Sequence, residues 1–168
     1  MRMPMSPIDN VAFKEAMSRL PSGVTIVSTS DDQNRRWGFT ASSFTSLSMD
    51  PPLILVCLSN YAESYEAFIK SQRFAINVLS HEQKQIAMDF ARKNTDKFSG
   101  SSFVHDEEGC PYLPEAVASI ICKARNPHVE GDHTILIGEV LAIHLGATKP
   151  LIYFQREFWH FEPTTVLS

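Results

Sequence analysis

The sequence has no G-x-G-x-x-G, no Walker A loop, no H-E-x-x-H and no G-x-S-x-G. Any nucleotide it uses is therefore not held in the Rossmann manner, and neither the zinc-protease helix nor the nucleophile elbow is present. No apolar run is long enough to span a bilayer. The start, MRMPMSPIDN, carries one arginine and no apolar stretch, so we expect no secretory signal. Cysteine is scarce: Cys57, Cys110 and Cys122 make an odd count without a C-x-x-C pair. Structural disulfides are not expected, and a cytoplasmic setting fits. Cys57 and Cys122 lie in apolar runs and read as small buried hydrophobes. His128 and His133 are five apart with no third ligand at metal spacing, so no metal site is expected. No long basic run occurs and the net charge is −4, which argues against nucleic acid or an anionic membrane as the main partner. Repeats, low-complexity tracts and linkers are missing too.

What is present suits one domain over residues 1–168. At this length roughly 70% of the unfolded surface can be buried, enough for a core without staples. Asp9 can cap a first helix, in which Phe13, Ala16, Met17 and Leu20 recur at helical spacing until Pro21-Ser22-Gly23. Residues 24–29 are rich in β-branched side chains and read as a strand, followed by the polar turn Asp31-Asp32-Gln33-Asn34. The run from Leu53 to Leu58 reads as a strand buried on both faces. A short helix over 62–71 and a strand over 74–79 come next. Ser80-His81-Glu82-Gln83 has capping-box spacing and should open a helix carrying Ile86, Ala87, Phe90 and Ala91. Residues 95–116 look irregular. Strands are expected at 117–125 and 134–145, with short ones at 151–154 and 158–161. Strands outnumber helices and do not alternate with them. The expected fold class is therefore mainly β, a closed or partly open barrel with a few helices.

Three stretches can carry chemistry. In GFTASSFTSLSMDPP, residues 38–52, six of fifteen residues bear hydroxyls, and a glycine opens the stretch. Hydroxyls and closely spaced backbone N–H groups suit a phosphate or a polar heterocycle edge, but hydroxyl-rich edge strands are also common. Gly131-Asp132-His133 puts an imidazole at a strand start, on a barrel rim, where it serves a ligand or simply faces solvent. Arg92, Lys93 and Lys97 gather positive charge after the capped helix, for its dipole or for a ligand phosphate.

Taken together, these segments resemble the short-chain flavin reductase family, the reductase components of two-component flavin-dependent monooxygenases. The resemblance runs over about 12–161. It rests on Phe13-Lys14-Glu15-Ala16-Met17, Gly23 to Thr29, the block Gly38 to Pro52, Phe74 to Leu79 and Gln83. Asp96-Lys97-Phe98, Gly131-Asp132-His133, Gly138-Glu139-Val140 and Pro150 to Phe154 complete it. The resemblance implies a six-stranded Greek-key FMN-binding split barrel, usually a homodimer, with flavin near the dimer interface. It implies that Thr40, Ala41, Ser42, Ser43 and Phe44 line the flavin. Cys57, Leu58, Ser59, Asn60, Ser64, Asn77, Lys97 and Phe98 would border its ring, ribityl chain or phosphate. His133 would meet the nicotinamide.

The implied activity is hydride transfer from NADH or NADPH to FMN or FAD, with the reduced flavin supplied to a separate monooxygenase. Such chemistry belongs to the cofactors and asks the protein for orientation, which accords with a site of serines, threonines and main chain. Two other readings stay open: a flavoprotein that keeps its FMN as a stand-alone reductase or electron carrier, and a non-catalytic flavin-binding module.

Overall fold

A computed structural model describes residues 7–146 and 149–162. Helix α1 (Asn10–Ser18) leads into β1 (Ser22–Gly23), β2 (Thr25–Ser30), β3 (Arg36–Ala41), β4 (Phe44–Met49) and β5 (Pro52–Ser59). Helix α2 (Tyr65–Lys70) precedes β6 (Arg73–Val78), and a 3-10 turn (His81–Gln83) opens α3 (Lys84–Ala91). The second half holds β7 (Val104–His105), β8 (Pro111–Tyr112), β9 (Ala118–Ala124), β10 (His128–Glu130), β11 (His133–Leu145), β12 (Ile152–Phe154) and β13 (Glu157–Trp159). No helix among the described residues is long and apolar enough to cross a membrane.

The main sheet is antiparallel and runs β3-β2-β6-β9-β11-β5-β4, with β10 paired to β11. Its two edge strands, β3 and β4, are separated in sequence only by Ser42 and Ser43. The sheet must therefore curl until its edges meet at that corner, which makes a barrel split between β3 and β4. The expected count was six strands. The path holds seven because the hydroxyl-rich segment turns at Ser42–Ser43 and pairs with β2 before the turn and β5 after it.

Most expected elements are present. The capping box forms, with the Ser80 N–H donating to Gln83 Oε1 at 2.9 Å, although it opens the 3-10 turn rather than the α-helix itself. β5 departs from its expected burial on both faces. Ile54, Val56 and Leu58 are buried while the residues between them are half-buried, because only one face of the curled sheet meets the core. The strand β10 was not foreseen, since its three residues are polar or exposed and lean only on β11. α1 is capped as expected, Asp9 Oδ1 accepting from the Val11 N–H at 3.0 Å. Its apolar face, however, finds no core among the described residues. No residue of the helix is buried, and Phe13, Met17 and the following Leu20 are 56%, 51% and 64% exposed.

Two large clusters make the interior, beside a small third one of Ala75, Cys110 and Ile121. One fills the barrel with Val27, Ile54, Val56, Leu58, Phe68, Phe74, Ile76 and Leu136. The other lies under α3, where Phe90, Phe98 and Phe103 meet edge to face or tilted at 4.8–5.5 Å. Gly38 lets α3 sit down on β3: a Cβ there would come within 2.6 Å of Phe90 Cε1. Its smallness serves packing.

The β2–β3 turn is organised by Asp31. Its carboxylate accepts from the Trp37 indole N–H at 2.8 Å and from the Gln33 and Arg35 backbone N–H groups at 3.0 and 2.8 Å. The Trp37 bond and these companions hold its pKa down to about 2. The folded pKa thus lies below the ordinary value, so the stabilisation is complete above that value and drains away as pH falls toward about 2. Asp31→Asn should flatten this acid limb, read as melting temperature from about pH 5 downward. An acid limb identical to that of the unaltered protein would show that the turn does not depend on this charge.

Candidate functional site

The corner where the sheet edges meet lies beside the end of β5. The Cys57 N–H donates to Ser43 O at 3.3 Å, the Ser43 hydroxyl donates back to Cys57 O at 3.3 Å, and Phe44 stands opposite Val56. On the other flank of β5, antiparallel register sets His133 opposite Ser59 and Thr134 opposite Leu58. The connection from β10 to β11 is the two-residue loop Gly131-Asp132, in which Gly131 adopts φ +61°, a conformation that glycine takes without strain. Asn60 staples this loop to β5. Its N–H donates to Asp132 O at 3.0 Å, its amide to Gly131 O at 3.2 Å, and its Oδ1 accepts from the Thr134 hydroxyl at 2.7 Å. Three segments distant in sequence (40–44, 57–60 and 131–133) thus form one rim.

On that rim His133 is exposed, and its Nδ1 lies 2.7 Å from Asp132 Oδ1. A proton on Nδ1 makes this bond, which leaves Nε2 as the ring atom free for a ligand. The same bond holds the Asp132 carboxyl below its ordinary value. Ser42 and Ser43 are exposed, Cys57 and Ser59 half-buried. Thr40 and Ala41 are less available than the sequence suggested. The Thr40 hydroxyl donates to Ala87 O at 2.7 Å, and Ala41 O accepts from the buried Thr25 hydroxyl at 2.8 Å. The Leu58 side chain points into the core.

A second cluster gathers Ser64, Lys97 and Phe98 around a cavity of about 270 Å³, walled also by Arg36, Trp37, Gly38 and Glu63. Lys97 is largely buried, with its Nζ 3.9 Å from Glu63 Oε2. Burial pushes its pKa down, and Glu63 opposes that shift. The Arg36 guanidinium lies 4.7 Å over the Phe98 ring. A larger cavity of about 660 Å³ shares Arg35, Trp37 and Glu63 with the first. The two clusters are joined by α2. Ser64 precedes it, and the Tyr65 hydroxyl at its start lies 3.3 Å from the Thr134 hydroxyl.

Asn77 belongs to neither cluster. Its amide donates to Ile26 O at 2.9 Å and Ser28 Oγ at 3.0 Å, while its Oδ1 accepts from the Leu113 N–H at 2.7 Å and the Ser119 hydroxyl at 3.0 Å. Both amide protons are committed, the oxygen is held by the Leu113 N–H, and the residue is fully buried. The structure thus gives this expected site residue a place in the hydrogen bonding of the barrel interior. Arg36, Glu63 and Thr134 were missed. Glu63 and Thr134 adjoin the expected Ser64 and His133 in sequence, but their contacts with Lys97 and Asn60 are made only in space, and no motif announces them or Arg36.

A sequence model described as the flavin reductase like domain matches residues 17–162. The chain belongs to the flavin reductase family. It is 42% identical to the actinorhodin polyketide dimerase of Streptomyces coelicolor over 89% of this chain and 85% of that protein. It is 37% identical to the stachydrine N-demethylase reductase subunit of Rhizobium meliloti over 86% of this chain but only 63% of that longer relative. Among solved structures, the NADH:FAD oxidoreductase SgcE6 of Streptomyces globisporus, in complex with NAD and FAD fragments, superposes with a TM-score of 0.88. That pair shares 32% identity, over 97% of this chain and 99% of the other.

The donor set of this flavin reductase family member suits a flavin nucleotide. Exposed serines and main chain at the rim match a polar heterocycle edge, and the Lys97–Arg36 cavity matches a phosphate. Small hydroxyls leave room for a flat ring where bulkier donors would block it.

Proposed function

We propose that this protein is an NAD(P)H:flavin oxidoreductase that passes reduced FMN or FAD to a separate monooxygenase. The observation that carries the reading is the β5–β11 register, which sets His133 opposite Ser59 on the flank of β5 across from the Ser42–Ser43 corner. In this reading the rim serines and main chain orient the flavin, and Ser64, Lys97 and Arg36 hold its phosphate. His133 receives the nicotinamide. When bound, the flavin supplies a two-electron acceptor for the nicotinamide hydride. The protein's task is to align the two rings and keep water out. The kinship with a reductase subunit and with an NADH:FAD oxidoreductase supports both the donor and the handing-on.

A homodimer is part of the proposal. The unpartnered face of α1 and the exposed Leu141, Ile143 and Leu145 at the far end of β11 offer an apolar surface for a second copy. The setting we propose is the cytoplasm, where the free thiols of Cys57, Cys110 and Cys122 persist. The single-domain boundaries, 1–168, belong to the same proposal.

The direct test is anaerobic. Purified protein receives FMN or FAD in large excess, then NADH or NADPH, and flavin absorbance is followed. Catalytic bleaching of the excess is the expected result. Bleaching of one equivalent would mean a retained flavin, and no bleaching would overturn the enzyme reading. His133→Ala should raise KM for the nicotinamide about tenfold while flavin affinity changes less than about twofold. Unchanged turnover kinetics in that variant would remove His133 from the site.

A further inference from the structure

Within the proposed phosphate cavity two residues, Glu63 and Asp96, have the wrong sign for the task, and of these Glu63 faces the lysine. Glu63 sits immediately before Ser64, lines both cavities, and directs its two carboxylate oxygens to two partners. Oε1 accepts the Asn94 N–H at 3.1 Å, and Oε2 lies 3.9 Å from Lys97 Nζ. The Asn94 bond fixes the loop that carries Lys97, at a residue whose φ is +57°. The Lys97 contact neutralises the cation that a phosphate would seek.

The other charges around the cavity are already engaged. Asp96 Oδ1 accepts the Phe98 N–H at 3.1 Å, Arg35 pairs with Asp31 at 3.2 Å, and Arg36 lies over Phe98. Glu63 is the carboxylate that contacts the lysine, and its side chain is one-third exposed, against 15% for Lys97. A ligand reaching Lys97 therefore meets a competing anion already in place, in a part-buried setting where like-charge repulsion is only partly screened.

We infer that Glu63 is a built-in counter-anion that weakens the hold on the flavin phosphate and so sets how fast flavin leaves. The inference rests on the proposed flavin-reductase reading and deepens it. A protein that hands its flavin to another must release it, and a carboxylate sharing the phosphate's own cation lowers affinity without disturbing the ring site. The same oxygen pair keeps the loop in shape, so the carboxylate cannot simply be dispensed with.

Glu63→Gln separates the two duties. Glutamine keeps an oxygen for the Asn94 N–H and removes the charge. Dissociation constants for FMN and for riboflavin, which lacks the phosphate, are measured by titration calorimetry on the unaltered protein and the variant. The expected result is FMN binding about tenfold tighter in the variant, with a slower FMN off-rate and riboflavin binding unchanged. The variant's FMN affinity should also fall more steeply with salt. Equal or weaker FMN binding, with riboflavin still bound, would overturn the inference while leaving the flavin reading intact. A matching gain for riboflavin would overturn it too, since the effect would then not involve the phosphate. Failure of the unaltered protein to bind either flavin would overturn the reading and the inference together. Should Glu63→Gln fold poorly, Glu63→Ser provides a second uncharged side chain for the same comparison.

Discussion

Asn77→Ala should unfold roughly 6–12 °C below the unaltered protein. Asn77 is fully buried on β6 and ties four positions together: Ile26 and Ser28 on β2, Leu113 after β8, and Ser119 on β9. The serines keep other partners, Ser28 donating to Pro111 O and Ser119 to Leu113 O, each at 2.6 Å. The Leu113 N–H keeps none of comparable quality and is left as a buried orphan, and the void adds to the loss. About 3 kcal/mol is the expected sum, at roughly 2–4 °C per kcal/mol for a chain of this size. The measurement is a thermal melt. Flavin affinity of the still-folded variant should stay within about twofold, because Asn77 is fully buried with both amide protons committed. A variant that melts normally but loses flavin would return Asn77 to the binding site.

The second large effect is expected at Lys97. Lys97→Met keeps the length of the stem that fills the cavity wall and removes the ammonium. A charge-assisted contact to phosphate contributes about 1.5–3 kcal/mol, so FMN binding should weaken roughly 10- to 150-fold while riboflavin binding barely moves. Burial already disfavours the charged ammonium, so the fold loses little with it. The discriminating measurement is the ratio of the two dissociation constants, read by fluorescence titration. If both flavins weaken alike, Lys97 shapes the cavity rather than holding the phosphate.

Much of the fold could be read from local patterns. β2, β6, β9 and β11 carry the β-branched, apolar runs that strands need, and Ser80 with Gln83 announces the turn before α3. The rim segments were legible because a glycine–aspartate hairpin and a hydroxyl-rich corner are both written in consecutive residues. What escaped was non-local. The periodicity of α1 says that one face is apolar, but not whether this chain supplies its cover. Gly38 looked like a ligand's neighbour because the need for it comes from Phe90 on α3, far along the chain. Asn77 entered as a flavin neighbour only through the family resemblance, and the sequence does not show that its amide is engaged inside the barrel. Glu63 drew no attention because its significance comes wholly from facing Lys97.

The β5–β11 pairing also governs how the molecule must assemble. β6 meets β2 and β9 across separations of 40–53 residues, whereas the β5–β11 pairs join residues 74 (Ser59 and His133) to 86 (Leu53 and Glu139) apart. Closing so long a loop comes late and slowly in a folding reaction, because the entropy is lost before the contact forms. The rim straddles that last seam. A chain whose barrel is largely built still lacks the proposed hydride-transfer site until the seam closes, so binding competence should lag behind secondary structure during refolding. A ligand that bridges the two sides would act as a clasp and slow the reverse opening.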